Sequence, residues 1–438
     1  MGSEDDHARL KPCHSQSTIC SKLKILLLLL VTNLLSIFLF VRNFDWAAPA
    51  VHLRDSGILL RELNATQRQL PDSQSQVSLL SRRIGTANSL LETLLMEIGK
   101  VQRVAGSPEG ELEKWASQLT GELKLVVGSH KLPFGYTPNI GSDELYPVLG
   151  SGCRLYEEEL AEYMSYDVGG ECPSDEVFSQ RLMLKGCEPL PRRRCHPKSP
   201  AGYVEPAPVP ESLWAIPADT SITWDAYTCK NYSCLVNRGK AQGSYDCKDC
   251  FDLQAGREKH RWVQGNGELD YAIDEVLAMK PAGTIRVGLD IGGGSGTFAA
   301  RMWERNVTVV TSSMNLDGPF NNFIASRGLV AIYFSVAHRL PFYDNTLDLV
   351  HSMHVLSNWI PDAILEFALF DIYRVLRPGG LFWLDHFFCL GEQFNVTYVP
   401  MFERIGFWKR RWNAGRKLDR GIEMNEWYLS ALLEKPMT

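Results

Sequence analysis

Asp290 is followed by glycine at 292, 294 and 296 in the run LDIGGGSG. A backbone without Cβ atoms at those positions turns sharply and lets a ligand approach that a side chain would block. This is the chemistry of a cofactor turn. Its type is open at this stage, because Gly294-Ser295-Gly296-Thr297-Phe298-Ala299 also satisfies the loosened dinucleotide fingerprint. Four further residues, His351, His354, Asp385 and His386, have side chains able to take a proton from an acceptor. Arg339, Lys409, Arg410 and Arg411 offer a different chemistry, the binding of an anionic group, against the plainer fate of ordinary surface charge. Trp359 and Trp383 suit stacking on a sugar face, although core packing is the commoner role of tryptophan. No paired metal-binding carboxylates and no Ser-His-Asp arrangement at a recognisable spacing occur, so no metal site is expected.

Alternating strand and helix patterns must position these groups. The run IRVGLDI reads as a strand that enters the glycine turn, and FAARMWER as the helix after it. Strands at VTVVT, near LVAIYF and at LDLVHS follow, then a helix around AILEFALFDIYRVL and a strand LFWLDHF. Before them, GELDYAIDEVLAMK is predicted to be helical up to Pro281. Strand and helix in turn predict a parallel sheet covered on both faces. GFWKRRWNAG and EWYLSALLE have no room for a crossover helix between them, so they are expected to pair antiparallel.

LDIGGGSG, then LPF closely followed by LDLV, then LRPGG, stand in an order that resembles the class I S-adenosylmethionine-dependent methyltransferases over about residues 267–436, which predicts a methyltransferase domain at 267–438. The resemblance implies an α/β, Rossmann-like sheet of seven strands with the last one antiparallel. It implies S-adenosylmethionine as cofactor, lying across the carboxyl ends of the first strands, with Asp290, Gly292, Gly294 and Gly296 holding its methionine end. Where the family has an acid for the ribose hydroxyls this chain has Ser313 and Asn315, which are left to bond them. After the third strand the family offers an acid to the adenine amine. Here the segment runs Ser335-Val336-Ala337-His338-Arg339, so adenine is expected to rely on backbone and apolar contacts at Ala337. For methyl transfer to a hydroxyl, His354, Asp385 and His386 are the candidate catalytic residues; a uronate carboxylate is already ionised and needs cations instead. The two missing acids keep open a catalytically inactive scaffold for other Golgi enzymes, and the glycine turn alone a nicotinamide oxidoreductase, which LRPGG and the terminal hairpin argue against.

The rest of the chain supplies location. Residues 23–41 are apolar for about the thickness of a bilayer, with basic residues before them, which predicts a single-pass signal anchor, a cytosolic tail at 1–22 and a lumenal body. A cleaved signal peptide is the alternative, since Ala48-Pro49-Ala50 fits a cleavage site. Residues 42–130 read as a helical stem, either a surface for homo-oligomer formation or a solvated spacer. Residues 131–266 are rich in Cys, Pro and Gly and predict an irregular, Cys-rich subdomain. Eight of the 11 cysteines lie between Cys153 and Cys250, which in an oxidising compartment reads as disulfides. Cys229-x4-Cys234 with Cys247-x2-Cys250 is the zinc alternative. Arg192, Arg193 and Arg194 form a basic triplet, either solvated or facing an anion. Sequons at Asn64, Asn231, Asn306 and Asn395 permit N-glycosylation in the lumen. The net charge of −6 argues against nucleic acid as a partner. With GCEPLPRRRC and LWAIP, the whole resembles plant Golgi type II membrane methyltransferases, a group containing proteins regarded as pectin methyltransferases. That implies a Golgi membrane protein with its catalytic domain in the lumen, and a cell-wall polysaccharide, other glycan or small molecule as acceptor.

Overall fold

The computed structural model describes residues 121–205, 212–238, 249–266 and 268–437, with isolated positions between 61 and 119. Two compact units divide the chain, Met1–Pro108 and Glu109–Thr438. In the first, the described positions between 61 and 80 are helical and exposed, Leu63, Val77 and Leu80 among them. The anchor predicted at 23–41 lies outside the described residues, as does most of the stem. Among the described residues no helix is long and apolar enough to cross a membrane.

The second unit is built on one seven-stranded sheet: β1 (Val287–Ile291), β2 (Thr308–Ser312), β3 (Val330–Ile332), β4 (Leu347–Met353), β5 (Leu376–Leu390), β6 (Trp408–Arg416) and β7 (Glu426–Glu434). Their spatial order is β3-β2-β1-β4-β5-β7-β6. The first five run parallel and β7 lies antiparallel between β5 and β6, so the predicted closing hairpin is present. Parallel strands are covered on both faces, which is why β4 buries six of its seven residues, polar ones included.

Helices supply that cover. α1 (Thr297–Trp303) and α2 (Phe320–Ser326) follow β1 and β2, and α3 (Asp362–Val375) joins β4 to β5. α3 buries Leu365, Ala368, Leu369, Ile372 and Val375, an apolar stripe at helical spacing. The helix predicted over 267–280 shrinks to Ile273–Leu277. Ahead of it the Asn266 side chain accepts the backbone N–H groups of Glu268 and Asp270, an alternative to helical bonding that asparagine readily offers.

Two sequence signatures prove to brace the sheet. Asp348 of LDLV accepts the backbone N–H groups of Arg286 and Val287 and pairs with Arg377 of LRPGG. Burial works against the Asp348 charge, and these donors nonetheless hold its carboxyl below the usual range.

The Cys-rich segment has little regular structure, as expected, and carries disulfides Cys153–Cys187, Cys172–Cys195 and Cys229–Cys234. Cys250 is disulfide-bonded too. Bonded in this way, Cys229 and Cys234 are not zinc ligands, and among the described residues no group of side chains could hold a metal. The basic triplet divides: Arg192 and Arg194 are exposed, as a solvated triplet would be, and Arg193 is half-buried. Arg193 forks onto Asp175 and stacks 3.4 Å over Tyr163, while Arg194 pairs with Glu122.

Candidate active site

The carboxyl ends of β1, β4 and β5 converge on the proposed chemistry. At the end of β1 the turn places Gly292, Gly294 and Gly296 at φ of 72°, 55° and 81°, a region that side chains rarely adopt. Gly293, which the alternate-glycine pattern passes over, has the tighter surroundings. A Cβ there would lie 2.0 Å from Asp290 Oδ2 and 2.4 Å from Thr311 Cγ2. That same Asp290 Oδ2 and Thr311 Oγ1 are buried without a hydrogen-bond partner. A glycine cradle floored by an orphaned carboxylate oxygen suits a cationic ligand with an amino group, which is what S-adenosylmethionine presents.

The remaining cofactor candidates are placed as follows. Ser313 is buried beyond β2, its carbonyl accepting from Asn321 Nδ2 at 2.8 Å. Asn315 Oδ1 accepts both the backbone and side-chain N–H groups of Asn321, at 2.9 and 3.0 Å, and its backbone N–H is taken by Gln180. Asn315 therefore ties the loop down, and its side-chain oxygen is engaged inside the protein. Ala337 lines a groove of about 480 Å³ against α3 with Phe367, Phe370 and Arg339.

The proton-handling candidates come together. His351 sits in β4 opposite Asp290 of β1. Its Nδ1 lies 2.8 Å from Asp290 Oδ1 and its Nε2 lies 3.5 Å from Asp385 Oδ2. Asp385 and His386 occupy a bulge in β5: two residues there face the single Ser430 of β7, and the register shifts between Leu384 and Phe387. The bulge puts His386 at φ 51°, with its N–H on Ser430 Oγ and its Nδ1 2.5 Å from Asp385 Oδ1. Trp262 Nε1 donates to Asp385 Oδ2 at 2.8 Å. Burial disfavours the Asp385 charge, yet His351 facing it at 3.5 Å and the hydrogen bond from His386 hold its carboxyl well below the ordinary range.

His354 follows β4 at φ 62°, its ring 5.2 Å from that of His386 and 5.5 Å from Tyr428. The residue is exposed by surface area, so only the inner part of its ring is covered; that partial burial, with the charge of His386, lowers its pKa.

The anion-binding candidates do not join this cluster. Lys409, Arg410 and Arg411 lie on the edge strand β6 and pair with Glu403, Glu434 and Glu275 at 3.0, 2.6 and 3.0 Å. Arg339 faces Asp344 at 3.8 Å. Trp383 is fully buried, its core role, whereas Trp359 is 78% exposed and stacks on Phe388 beside Tyr428.

The Cys-rich segment roofs the site, a contribution that composition and spacing did not disclose. Cys250 Sγ stands 3.1 Å from where a Gly294 Cβ would be. Gln180 takes the Asn315 N–H beyond β2, Glu188 takes the Ser335 N–H beyond β3 at 3.0 Å, and Trp262 reaches Asp385. Phe251 packs on Phe320 of α2 with ring centroids 4.7 Å apart.

A family model described as a methyltransferase domain matches residues 289–384. The Arabidopsis thaliana "probable methyltransferase At1g29790" is 36% identical over 291 residues, 66% of this chain and 72% of that one. "Probable methyltransferase PMT2" of the same plant is 28% identical over 195 residues, and "probable pectin methyltransferase QUA2" is 30% identical over 121. These alignments take 43% and 26% of this chain, which spans only 29% and 17% of those two longer relatives. A TehB-like methyltransferase from Corynebacterium glutamicum aligns at a TM-score of 0.28 with 21% identity, covering 36% of this chain and 84% of that one. The chain belongs to the class I S-adenosylmethionine-dependent methyltransferases, and S-adenosylmethionine is its cofactor. Among them it is similar to plant proteins named as probable methyltransferases. This membership decides against the nicotinamide oxidoreductase.

Proposed function

We propose that this enzyme methylates a hydroxyl group of a glycan, a cell-wall polysaccharide by preference, in the Golgi lumen, held there by a single-pass type II anchor at residues 23–41. The observation that carries the acceptor chemistry is the His386–Asp385 pair on the β5 bulge, close to the cofactor turn. Bound S-adenosylmethionine supplies an electrophilic methyl group on a sulfonium. Asp290 and the glycines from 292 to 296 would hold it. A hydroxyl must lose its proton as its oxygen attacks, which calls for a base. Asp385 accepts the Nδ1–H of His386 and so directs the lone pair of the neutral ring to Nε2; the Asp270 carboxylate 3.5 Å from Nε2 is exposed and hydrated, so unlike a buried carboxylate it does not require a proton there. His386 Nε2 would take the hydroxyl proton as the acceptor oxygen receives the methyl group that the cofactor supplies. Trp359, exposed on Phe388, offers a sugar-stacking face joined to this base through the rings of Phe388 and Tyr428.

A uronate carboxylate is the competing acceptor, supported by the printed name of the pectin relative. Against it, the candidate cations are each paired with a carboxylate of the protein. Incubation with methyl-labelled cofactor and a panel of de-esterified pectin, xylan and arabinogalactan separates the two. Alkali-stable label is the expected result, with His386→Asn reducing it by about 100-fold and leaving cofactor affinity unchanged. Alkali-labile label on pectin would mean an ester and a carboxylate acceptor.

A further inference from the structure

His351 is buried completely, belongs to no step described above, and touches both halves of the site. Each of its ring nitrogens faces a carboxylate: Nδ1 meets Asp290 Oδ1 at 2.8 Å and Nε2 meets Asp385 Oδ2 at 3.5 Å. Continuing outward, Asp385 Oδ1 bonds His386 Nδ1, and His386 Nε2 stands 3.5 Å from Asp270 Oδ1. Carboxylates and imidazoles thus alternate from the cofactor turn to the protein surface.

A neutral imidazole carries one N–H, so one of its nitrogens would present a lone pair to a carboxylate. Only the imidazolium donates at both. The ring is held in place for this by apolar neighbours, stacked 3.8 Å from Phe298 and contacted edge-on by Trp262 and Trp383. We propose that His351 is a positioning residue, an imidazolium clamped between Asp290 and Asp385, which joins the cofactor turn to the base His386 and fixes the Nδ1–H form of that base.

Burial opposes a charge on His351, but the hydrogen bond to Asp290 and the Asp385 carboxylate facing an Nε2 that has no hydrogen-bond partner of its own outweigh it and raise its pKa. The other ionisable groups around the clamp are Arg261, beside Trp262 and within electrostatic reach of Asp385, and His354, His386 and Tyr428 at the mouth. Two carboxylates and one imidazolium leave a single net negative charge beneath the glycine turn, the sign that a sulfonium needs. His351 never meets the acceptor. It acts by keeping Asp385 ionised and therefore an acceptor for His386 Nδ1–H.

The proposal rests on the methyltransferase reading and is tested apart from turnover, by magnetic resonance of the full-length chain isotope-labelled at its histidine ring nitrogens. His351→Gln assigns the signal. The expected result is a His351 with both nitrogens protonated from about pH 6 to pH 8, while an ordinary histidine discharges across that range. In Asp290→Asn, with one carboxylate gone, the same ring is expected to discharge at a lower pH than in the wild type. If that variant fails to fold, the wild-type spectrum decides alone: one bare ring nitrogen on His351 at pH 7 overturns the clamp. Titration of the same wild-type sample with S-adenosylmethionine separates the two ideas. Absence of binding by the folded protein removes the methyltransferase reading, whereas binding together with a neutral His351 removes only the clamp.

Discussion

At the scale of single residues, the glycine turn makes the sharpest demand. A Cβ at position 293 would come within 2.0 Å of Asp290 Oδ2, nearer than real contacts allow, so either the carboxylate or the strand end must move. Gly293→Ala is therefore expected to lose about 1–3 kcal/mol of stability by overpacking. It should also weaken S-adenosylmethionine binding at least tenfold, read by calorimetric titration beside a thermal melt; native affinity in a folded variant would show that Asp290 does not face the cofactor. The importance of Asp290 was legible in the sequence because it precedes a glycine run. That of His351 was less so, since a histidine in a buried strand reads equally well as packing until the register sets it opposite Asp290.

At the scale of elements, the strand–helix alternation, the parallel sheet and the antiparallel closing hairpin followed from the alternation of apolar runs, turn residues and connection lengths. Those are local signals, and the sheet obeys them. The β5 bulge was not legible, because a single extra residue leaves no trace in the run LFWLDHF and exists only relative to Ser430 on β7. The pairing of Arg410 and Arg411 was hidden for the same reason, because their partners Glu434 and Glu275 lie across the hairpin and on a far segment, whereas Lys409 meets the nearby Glu403. The roof belongs here too. The Cys153–Cys187 disulfide closes a separation of 34 residues and ends next to Glu188, which holds the loop beyond β3. Replacing both cysteines by serine is expected to cost about 3 kcal/mol through unfolded-state entropy. It should also lower cofactor affinity. A variant that loses stability but binds the cofactor normally would reduce the roof to a passive cover.

At the scale of the whole molecule, length and composition announced several parts, and the structure gathers residues 109–438 into one compact unit. The Cys-rich segment and the sheet share that unit, so the boundary suggested by composition near residue 266 does not separate two independent bodies. The anchor and the stem carry the proposed location. In sealed microsomes the C-terminal part is expected to resist added protease until detergent is supplied, and digestion without detergent would place the catalytic unit on the cytosolic side. The disulfides and the topology stand or fall together in that assay, because bonds of this kind persist in an oxidising lumen.

The contact between Cys250 and the glycine turn has one more implication. In most of the molecule a cofactor site and a cysteine bond are separate matters, one serving chemistry and the other durability. Here the sulfur of one rests on the backbone of the other, and the loops beyond β2 and β3 lean on the same stapled segment. Newly made chains would acquire a finished catalytic pocket only after their cysteines had been oxidised. Maturation in the secretory pathway would thus serve as a safety catch, and a chain stranded in the cytosol would meet abundant methyl donor without the means to spend it on the wrong acceptor.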